Sequence, residues 1–261
     1  MTLARAVFGL AAGLFLTAVA RDGFDDWVAA TVLPPLVPET SVLVEDRDSN
    51  LLRAYTVADG RWRLALSPDA ADGRFIDMLI AYEDGRFEDH AGVDLRAMAR
   101  AVAQAVWTGG VVSGGSTLTM QVARLLEESG TGRLEGKLRQ MRVALALERR
   151  LSKAQILGLY LQLAPYGGNI EGLRAATLAY FGKEPWRLTP AEAALMVAIP
   201  QSPESRRPDR HPDRAAEARD RVLARAVAKG IIDADQAQAA RGEVVPVARR
   251  AVPAIAPHLA D

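Results

Sequence analysis

Hydrophobic residues recur at helical spacing through most of the chain, and this periodicity constrains the fold more than any other feature. Phe75, Leu79 and Tyr82 form one apolar stripe, and a second begins at Leu95, both at the three-to-four spacing of an α-helix. Thr189-Pro190-Ala191-Glu192 supplies a cap, a proline and a glutamate in the positions that mark a helix start. The sequence therefore predicts a mainly α fold. Further helix starts are predicted at the caps Asp94, Ser116 or Thr117, and Ser152, and at Pro212.

Residues 41–66 are the one segment with a convincing strand pattern. Ser41 to Val44 reads as a strand, Asp46 to Asn50 supplies turn chemistry, and a strand pattern resumes from Leu51 to Val57. A small N-terminal β-hairpin is therefore predicted ahead of the helices.

An uncharged segment from Ala6 to Ala20 lies between Arg5 and Arg21. As a helix it would span about 22 Å, less than the roughly 30 Å hydrocarbon core of a bilayer. Two interpretations stay open: a short membrane anchor, or a secretory signal with Ala18-Val19-Ala20 as its cleavage site. Either one places the remaining chain outside the cytoplasm.

Composition excludes several kinds of site. The chain has 32 Lys and Arg against 32 Asp and Glu, and it has no cysteine. A net charge of zero argues against a nucleic-acid binder that depends on bulk electrostatics. Without cysteine, disulfide scaffolds, thiolate zinc sites and thiol catalysis are excluded.

An acidic cluster occupies residues 82–94, where a predicted helix ends. Its charged members include Glu83, Asp84 and His90. A carboxylate at a helix end beside apolar Phe87 can have a raised pKa and act as a general base. The alternative is a solvated acidic turn, with His90 as a hydrogen-bonded structural residue. A metal site is a weaker interpretation, because the spacing fits no common ligand pattern.

A glycine-rich loop at 109–115 leads into Ser116 and Thr117 at a predicted helix start. Free backbone N–H groups and the helix dipole would form an anion cradle there, unless the segment is an ordinary capped loop. It lacks the lysine of a nucleotide-binding P-loop. The following stretch from Arg124 to Lys153 has eight basic and four acidic residues. Such a run is often a solvated face, but next to the cradle it indicates an acidic substrate such as a pyrophosphate.

Two long motifs carry a resemblance to a known family. E-D-x-x-F-x-x-H-x-G-x-D and G-G-S-T-[IL]-T-x-Q occur in full, on Glu83, Asp84, Phe87, His90, Gly92 and Asp94 and on Gly114 to Gln121. Over about residues 41–230 the chain resembles the peptidoglycan glycosyltransferase domain of glycosyltransferase family 51. That domain occurs in class A penicillin-binding proteins and in monofunctional transglycosylases. The resemblance implies a lysozyme-like, bilobal and mainly α domain with a small N-terminal β-hairpin and a membrane anchor.

Later family motifs are altered in this sequence. R-K-x-x-E falls on Gly136 to Gln140 and keeps only Lys137, and R-R-x-x-V-L falls on Ala218 to Leu223. K-x-x-I-L-E-x-Y-L-N falls on Lys153 to Gln162, with Gly158 in place of the glutamate. The stretch 164–168 is similar to the C-type branch of the bifunctional proteins, which also lacks this glutamate. Weaker assistance to the leaving group is therefore expected.

The resemblance implies processive polymerisation of lipid II, with inversion at the donor anomeric carbon and release of undecaprenyl pyrophosphate. Glu83 would be the general base. Substrate-binding roles fall on Asp84, His90, Ser116, Thr117, Gln121, Lys137, Arg142, Lys153 and Arg219. No cofactor is certain, and a divalent cation (Mg²⁺ or Mn²⁺) on the pyrophosphate ranks below the cationic side chains.

The same resemblance implies a bacterial inner-membrane protein with one span and a periplasmic catalytic domain. Its partners would be lipid II, the growing glycan strand, membrane lipid and a separate transpeptidase, and not nucleic acid. Neither S-x-x-K nor K-T-G occurs, which predicts a monofunctional enzyme or a piece of a longer one. The expected segments are an anchor or signal at 1–21, a juxtamembrane segment with the hairpin at 22–70, the glycosyltransferase domain at 71–230, and a short helix and tail at 231–261.

Two other functions stay open. A glycan hydrolase would use Glu83 with a second carboxylate about 5–9.5 Å away, for which Asp84 and Asp94 are the candidates. A catalytically impaired scaffold that binds lipid II is suggested by Gln140 and Gly158, since the family has glutamates there.

Overall fold

The computed structural model describes residues 2–48, 51–108, 115–127 and 134–250. Most of the predicted glycine-rich loop (109–114), Arg133 and the end of the tail lie outside the described residues. The helices are α1 Thr2–Ala29, α2 Gly73–Glu83, α3 Leu95–Thr108, α4 Leu118–Leu126, α5 Leu134–Glu148, α6 Lys153–Leu163, α7 Leu173–Phe181, α8 Pro190–Ala198, α9 Pro212–Ala228 and α10 Ala234–Gly242. The strands are β1 Leu43–Glu45, β2 Leu51–Ala54, β3 Trp62–Arg63 and β4 Ile170–Glu171. Short 3₁₀ turns cover Pro68–Ala70, Phe87–Asp89 and Ile199–Gln201. The predicted mainly α fold is confirmed.

The N-terminal helix α1 is longer than the uncharged segment that predicted it, because residues 21–26 continue the helix despite their charges. Its apolar side chains are exposed, as for Phe8 and Leu14. Within the described residues, Arg5–Ala29 is the one stretch whose length (25 residues) and hydropathy would allow it to cross a membrane. At 1.5 Å per residue it is about 37 Å long, of which the uncharged part from Ala6 to Ala20 accounts for about 22 Å.

The predicted hairpin is present, since β1 pairs antiparallel with β2. The sequence did not predict the second pair, in which β3 lies parallel to β4. β4 escaped prediction because two residues are too few to show alternation. The carboxylate of Glu171 in β4 accepts from Nε of Arg63 in β3 at 2.8 Å, which joins the N-terminal region to the helical body.

Helix α8 lies at the centre of the core. Every side chain from Ala193 to Ile199 is at most 2% exposed, as expected for a helix that is apolar on all faces. α2, α9 and α10 pack against it, and α2 buries the predicted stripe residues Phe75 and Leu79. This packing brings the end of α2 beside the 3₁₀ turn that continues α8, so Glu83 meets Gln201.

Helix α4 packs against both α5 and α6, and the loop after α2 crosses α5 at Gly92. The backbone there has φ of +92°, and a Cβ would lie 2.7 Å from the carbonyl oxygen of Ala144. A glycine is therefore required by conformation and by space.

The second predicted stripe, on α3, is mostly exposed to solvent. Met98 packs beside Val93 and Met120, but Val102 and Val106 are 63% and 81% exposed. For the described part of α3, core packing is therefore not the role of this apolar face.

Candidate active site

Glu83 is the last residue of α2, and both of its carboxylate oxygens accept hydrogen bonds from amides. Nε2 of Gln121 on α4 donates to Oε2 at 2.9 Å, and Nε2 of Gln201 donates to Oε1 at 2.7 Å. Burial raises the pKa of Glu83, and the two amides and the charge of Arg206 offset only part of that rise. The site thus holds a half-buried carboxyl whose pKa has moved towards neutrality, as a general base requires.

Asp84 and His90 connect the end of α2 to the start of α4. The Asp84 carboxylate accepts from the backbone N–H of Leu118 at 2.9 Å and from Nε2 of His90 at 3.0 Å. Nδ1 of His90 accepts from the N–H of Gly92 at 3.2 Å, so the ring proton belongs on Nε2. Their side chains are only 4% and 6% exposed. Both residues therefore face the protein and support the position of their neighbour Glu83.

The start of α4 is held by Thr117, which was one of two predicted caps. Its hydroxyl accepts from the N–H of Met120 at 3.1 Å and donates to the carbonyl of Gly92 at 2.6 Å. Ser116, just before it, accepts from Nζ of Lys137 on α5. The Thr117 hydroxyl is buried and has both partners, whereas Ser116 stands beside a cation.

Lys137 on α5 and Arg124 on α4 form a cationic pair. Arg124 lies three residues after Gln121, on the same face of α4. Burial, and then repulsion by Arg124, lower the pKa of Lys137. Within the part of the chain that the structure describes, the Arg124 side chain has no hydrogen bond or ion pair. An anion bound between these cations would relieve their repulsion.

Lys153 is engaged inside the protein. Its Nζ donates to the carbonyl of His90 at 2.6 Å and to Oε1 of Glu148 at 2.7 Å. It also lies 4.5 Å from the ring centroid of Phe87. Lys153 therefore fixes the loop that carries His90.

Two predicted substrate-binding arginines lie in other contacts. Arg142 stacks on the ring of Trp27 in α1 at 4.7 Å and donates to its carbonyl. Arg219 is 4% exposed and donates to the carbonyls of Arg241 and Glu243 at the end of α10. Substrate contact by Arg142, Arg219 or Thr117 stays a prediction that would require these internal contacts to break.

The weaker leaving-group assistance expected from Gly158 stays a prediction, and the structure shows what surrounds this glycine. A Cβ at this glycine would lie 3.6 Å from Cδ of Pro68, on the side of α6 that lines a separate cavity of about 1050 Å³ with Leu36 and Trp186. Tyr160, which interacts electrostatically with Glu83, is two residues away and points to another side of α6. A side chain at position 158 would begin beside Pro68, on a side of α6 different from that of Tyr160.

The residues around Glu83 do not fit a resident divalent cation. No group of three or more His, Asp or Glu side chains is placed to hold a metal within the described ranges. The pyrophosphate-side groups are a hydroxyl and two cations, whereas Mg²⁺ and Mn²⁺ prefer carboxylate oxygens.

Sequence reasoning missed three residues of this site. Gln201 and Arg206 follow α8 and reach Glu83 from a distant part of the chain, and no short motif indicated this. Arg124 was counted only within a basic run, although its spacing from Gln121 could have placed it on the same helical face.

Comparison with known proteins gives the following similarities. The family model described as transglycosylase matches residues 48–227, more than half of the chain. Penicillin-binding protein 1C of Escherichia coli (strain K12) is 42% identical over 249 residues, which cover 95% of this chain and 32% of that protein. Penicillin-binding protein 1F of Bacillus subtilis (strain 168) is 37% identical over 169 residues, covering 65% of this chain and 24% of that protein. The chain thus spans about a third or less of the length of these relatives.

Among solved structures, a crystal structure of penicillin-binding protein 1A from Haemophilus influenzae matches 84% of this chain and 22% of that chain, with 18% identity and a TM-score of 0.43. No structural detail is transferred at that score. The family match and the identity to penicillin-binding protein 1C instead confirm the resemblance seen in the sequence motifs. The chain therefore belongs to the transglycosylase family, glycosyltransferase family 51.

Proposed function

We propose that this chain is a peptidoglycan glycosyltransferase that polymerises lipid II into β-1,4-linked glycan strands. One observation carries the proposal: a half-buried Glu83 with a raised pKa accepts a hydrogen bond from Gln121 on α4, the same helix whose Arg124 acts electrostatically on Lys137. A base and an anion site in this proximity suit a reaction that activates a hydroxyl and releases a pyrophosphate.

In the proposed reaction, Glu83 takes the proton of the acceptor 4-hydroxyl as that oxygen attacks the donor anomeric carbon. The new C–O bond forms on the face opposite the leaving group, and the bond from the anomeric carbon to the pyrophosphate oxygen breaks. Both electrons of that bond leave with undecaprenyl pyrophosphate. Lys137 and Arg124 neutralise the developing charge, and Ser116 orients the Lys137 ammonium.

We further propose that α1 anchors the enzyme in the bacterial inner membrane, with the catalytic domain on the periplasmic face. Arg142 on Trp27 and Arg149 on Asp25 fix the end of α1 to α5. The exposed apolar face of α3 would contact membrane lipid near the incoming substrate. A separate transpeptidase would then cross-link the strands.

A hydrolase is disfavoured by the environments of the two candidate acids. Asp84 is turned towards Leu118 and His90, and Asp94 pairs with Arg86 while capping α3. Neither carboxylate is available as the second group that glycoside hydrolysis requires.

The test is incubation of the purified chain with labelled lipid II, followed by gel separation of the products. Glycan polymer from the wild type, abolished by Glu83→Gln and kept by Glu88→Gln, supports the proposal. Glu88 is the matched control, because it is an exposed acid in the same turn. Tight binding of lipid II without polymer would instead establish the scaffold function.

A further inference from the structure

In the hydrogen bond between Glu83 and Gln201, the donor and the acceptor are fixed by the surrounding groups. Nη1 of Arg206 donates to Oε1 of Gln201 at 2.7 Å and to the carbonyl of Ala198 at 2.7 Å. A guanidinium has only donors, so the Gln201 amide must present its oxygen to Arg206 and its NH₂ group to Glu83. Arg206 therefore sets the direction in which Gln201 donates.

The other carboxylate oxygen of Glu83, Oε2, is held by Gln121 from a different element. Gln121 belongs to α4, which also carries Arg124, whereas Gln201 and Arg206 belong to the connection after α8. The carboxylate is thus held between α4, which packs against α6, and the connection after α8, a helix that packs against α2. Loss of either amide would free it to rotate about its side-chain torsions.

From this arrangement we propose that Gln201 and Arg206 are positioning residues for the base. Arg206 orients the Gln201 amide, and Gln201 holds the Glu83 carboxylate in the orientation that receives the acceptor proton. The inference rests on the proposed function for the identity of that proton, but the contact itself does not depend on it.

The groups that face Glu83 determine whether its pKa should rise or fall when Gln201 or Arg206 is replaced. Asp84 at the end of α2 raises the pKa of Glu83, while Arg206 and the amides of Gln121 and Gln201 lower it. Tyr160 on α6 is the other titratable neighbour. Removing Gln201 or Arg206 takes away a group that favours the carboxylate, so Glu83 should bind its proton more tightly.

The experiment titrates the full chain in detergent micelles with ¹³C-labelled glutamate carboxyl groups, read by nuclear magnetic resonance. The signal that disappears in Glu83→Gln identifies the base. Its titration midpoint should rise in Gln201→Leu and Arg206→Met and stay unchanged in Gln238→Leu, an exposed glutamine on α10. An unchanged midpoint in Gln201→Leu would overturn the inference.

Polymerisation rates at several pH values separate positioning from a structural role. The acidic limb of the rate should move to higher pH in Gln201→Leu, with about a tenfold loss for each unit of the shift. An equal loss at all pH values would contradict positioning. If the wild type makes no polymer, the proposed function fails, and the carboxyl titration still decides whether Gln201 and Arg206 control Glu83.

Discussion

Replacement of Asp84 by asparagine distinguishes the role seen in the structure from the one predicted from the motif. The motif resemblance predicts substrate binding, whereas the side chain joins α2 to the first residue of α4 through Leu118 and to His90. If the structural role dominates, Asp84→Asn lowers stability strongly and affects substrate binding only through Glu83.

The magnitude follows from the two donors that Asp84 satisfies. Asparagine offers one acceptor oxygen and one NH₂ group. With its oxygen in the place of Oδ2 it can still accept from Leu118 and His90, but its NH₂ group then stands where Oδ1 accepted from Nε2 of His90, so that a donor meets a donor. A buried polar group without its partner costs about 1–3 kcal/mol, and the lost negative charge at a helix N-terminus adds about 0.3–1 kcal/mol. We expect a loss of about 3 kcal/mol, or roughly 6–12 °C in the unfolding midpoint of a domain of this size.

The assay is thermal unfolding followed by far-ultraviolet circular dichroism, with Asp89→Asn as the control. Asp89 lies in the same turn, but it is exposed, so its substitution should leave the midpoint within about a degree, as for most surface changes. If Asp84→Asn unfolds like the wild type yet binds lipid II weakly, the structural reasoning is refuted and the motif prediction is correct.

Three further predictions concern the base, the anion site and the loop over α5. Because the folded-state pKa of Glu83 is raised from 4.5, the protonated side chain stabilises the folded state below that pH, and this contribution is lost at higher pH. The unfolding midpoint of Glu83→Gln, measured relative to that of the wild type, should therefore rise from pH 4 to pH 8. A difference in midpoint that stays constant with pH would contradict the raised pKa. Arg124→Met should weaken the binding of pyrophosphate, measured by calorimetry, about tenfold, while Arg142→Met should leave it unchanged. An equal loss of affinity in the two variants would favour the role in substrate binding that the motif resemblance gives to Arg142. Gly92→Ala should lower the free energy of unfolding, measured by chemical denaturation, by about 2 kcal/mol or more. This loss should clearly exceed that of Gly60→Ala, since both glycines have positive φ but only a Cβ at Gly92 would contact the backbone of another element.

Local features of the fold could be predicted from the sequence because their causes are local. The capping boxes at Ser152 and Thr189 form as expected, and Thr117 caps α4. Each depends on residues three apart in the chain. A partly buried carboxyl at the end of α2 was also expected from the local pattern, but it was the motif resemblance that singled out Glu83 among the acids of residues 82–94.

Long-range contacts could not be predicted in that way. Gln201 reaches Glu83 across 118 positions of sequence, and Arg142 reaches Trp27 across 115. The direction of an arginine side chain depends on which carbonyls and rings the tertiary fold leaves nearby. Basic residues in one sequence run therefore separate: Lys137 contacts Ser116, Lys153 supports His90, and Arg142 contacts α1.

This separation changes how the altered family motifs are interpreted. A glutamate missing at Gly158 would matter for catalysis only if its carboxylate reached the reacting groups, and that side of α6 faces Pro68 instead. The groups that contact Glu83 come from α4 and the connection after α8, and α4 packs against α6, the helix that carries residue 158. Glu83 keeps its contacts with both amides although residue 158 is a glycine, so the predicted effect of Gly158 on the leaving group is a separate question from the positioning of Glu83.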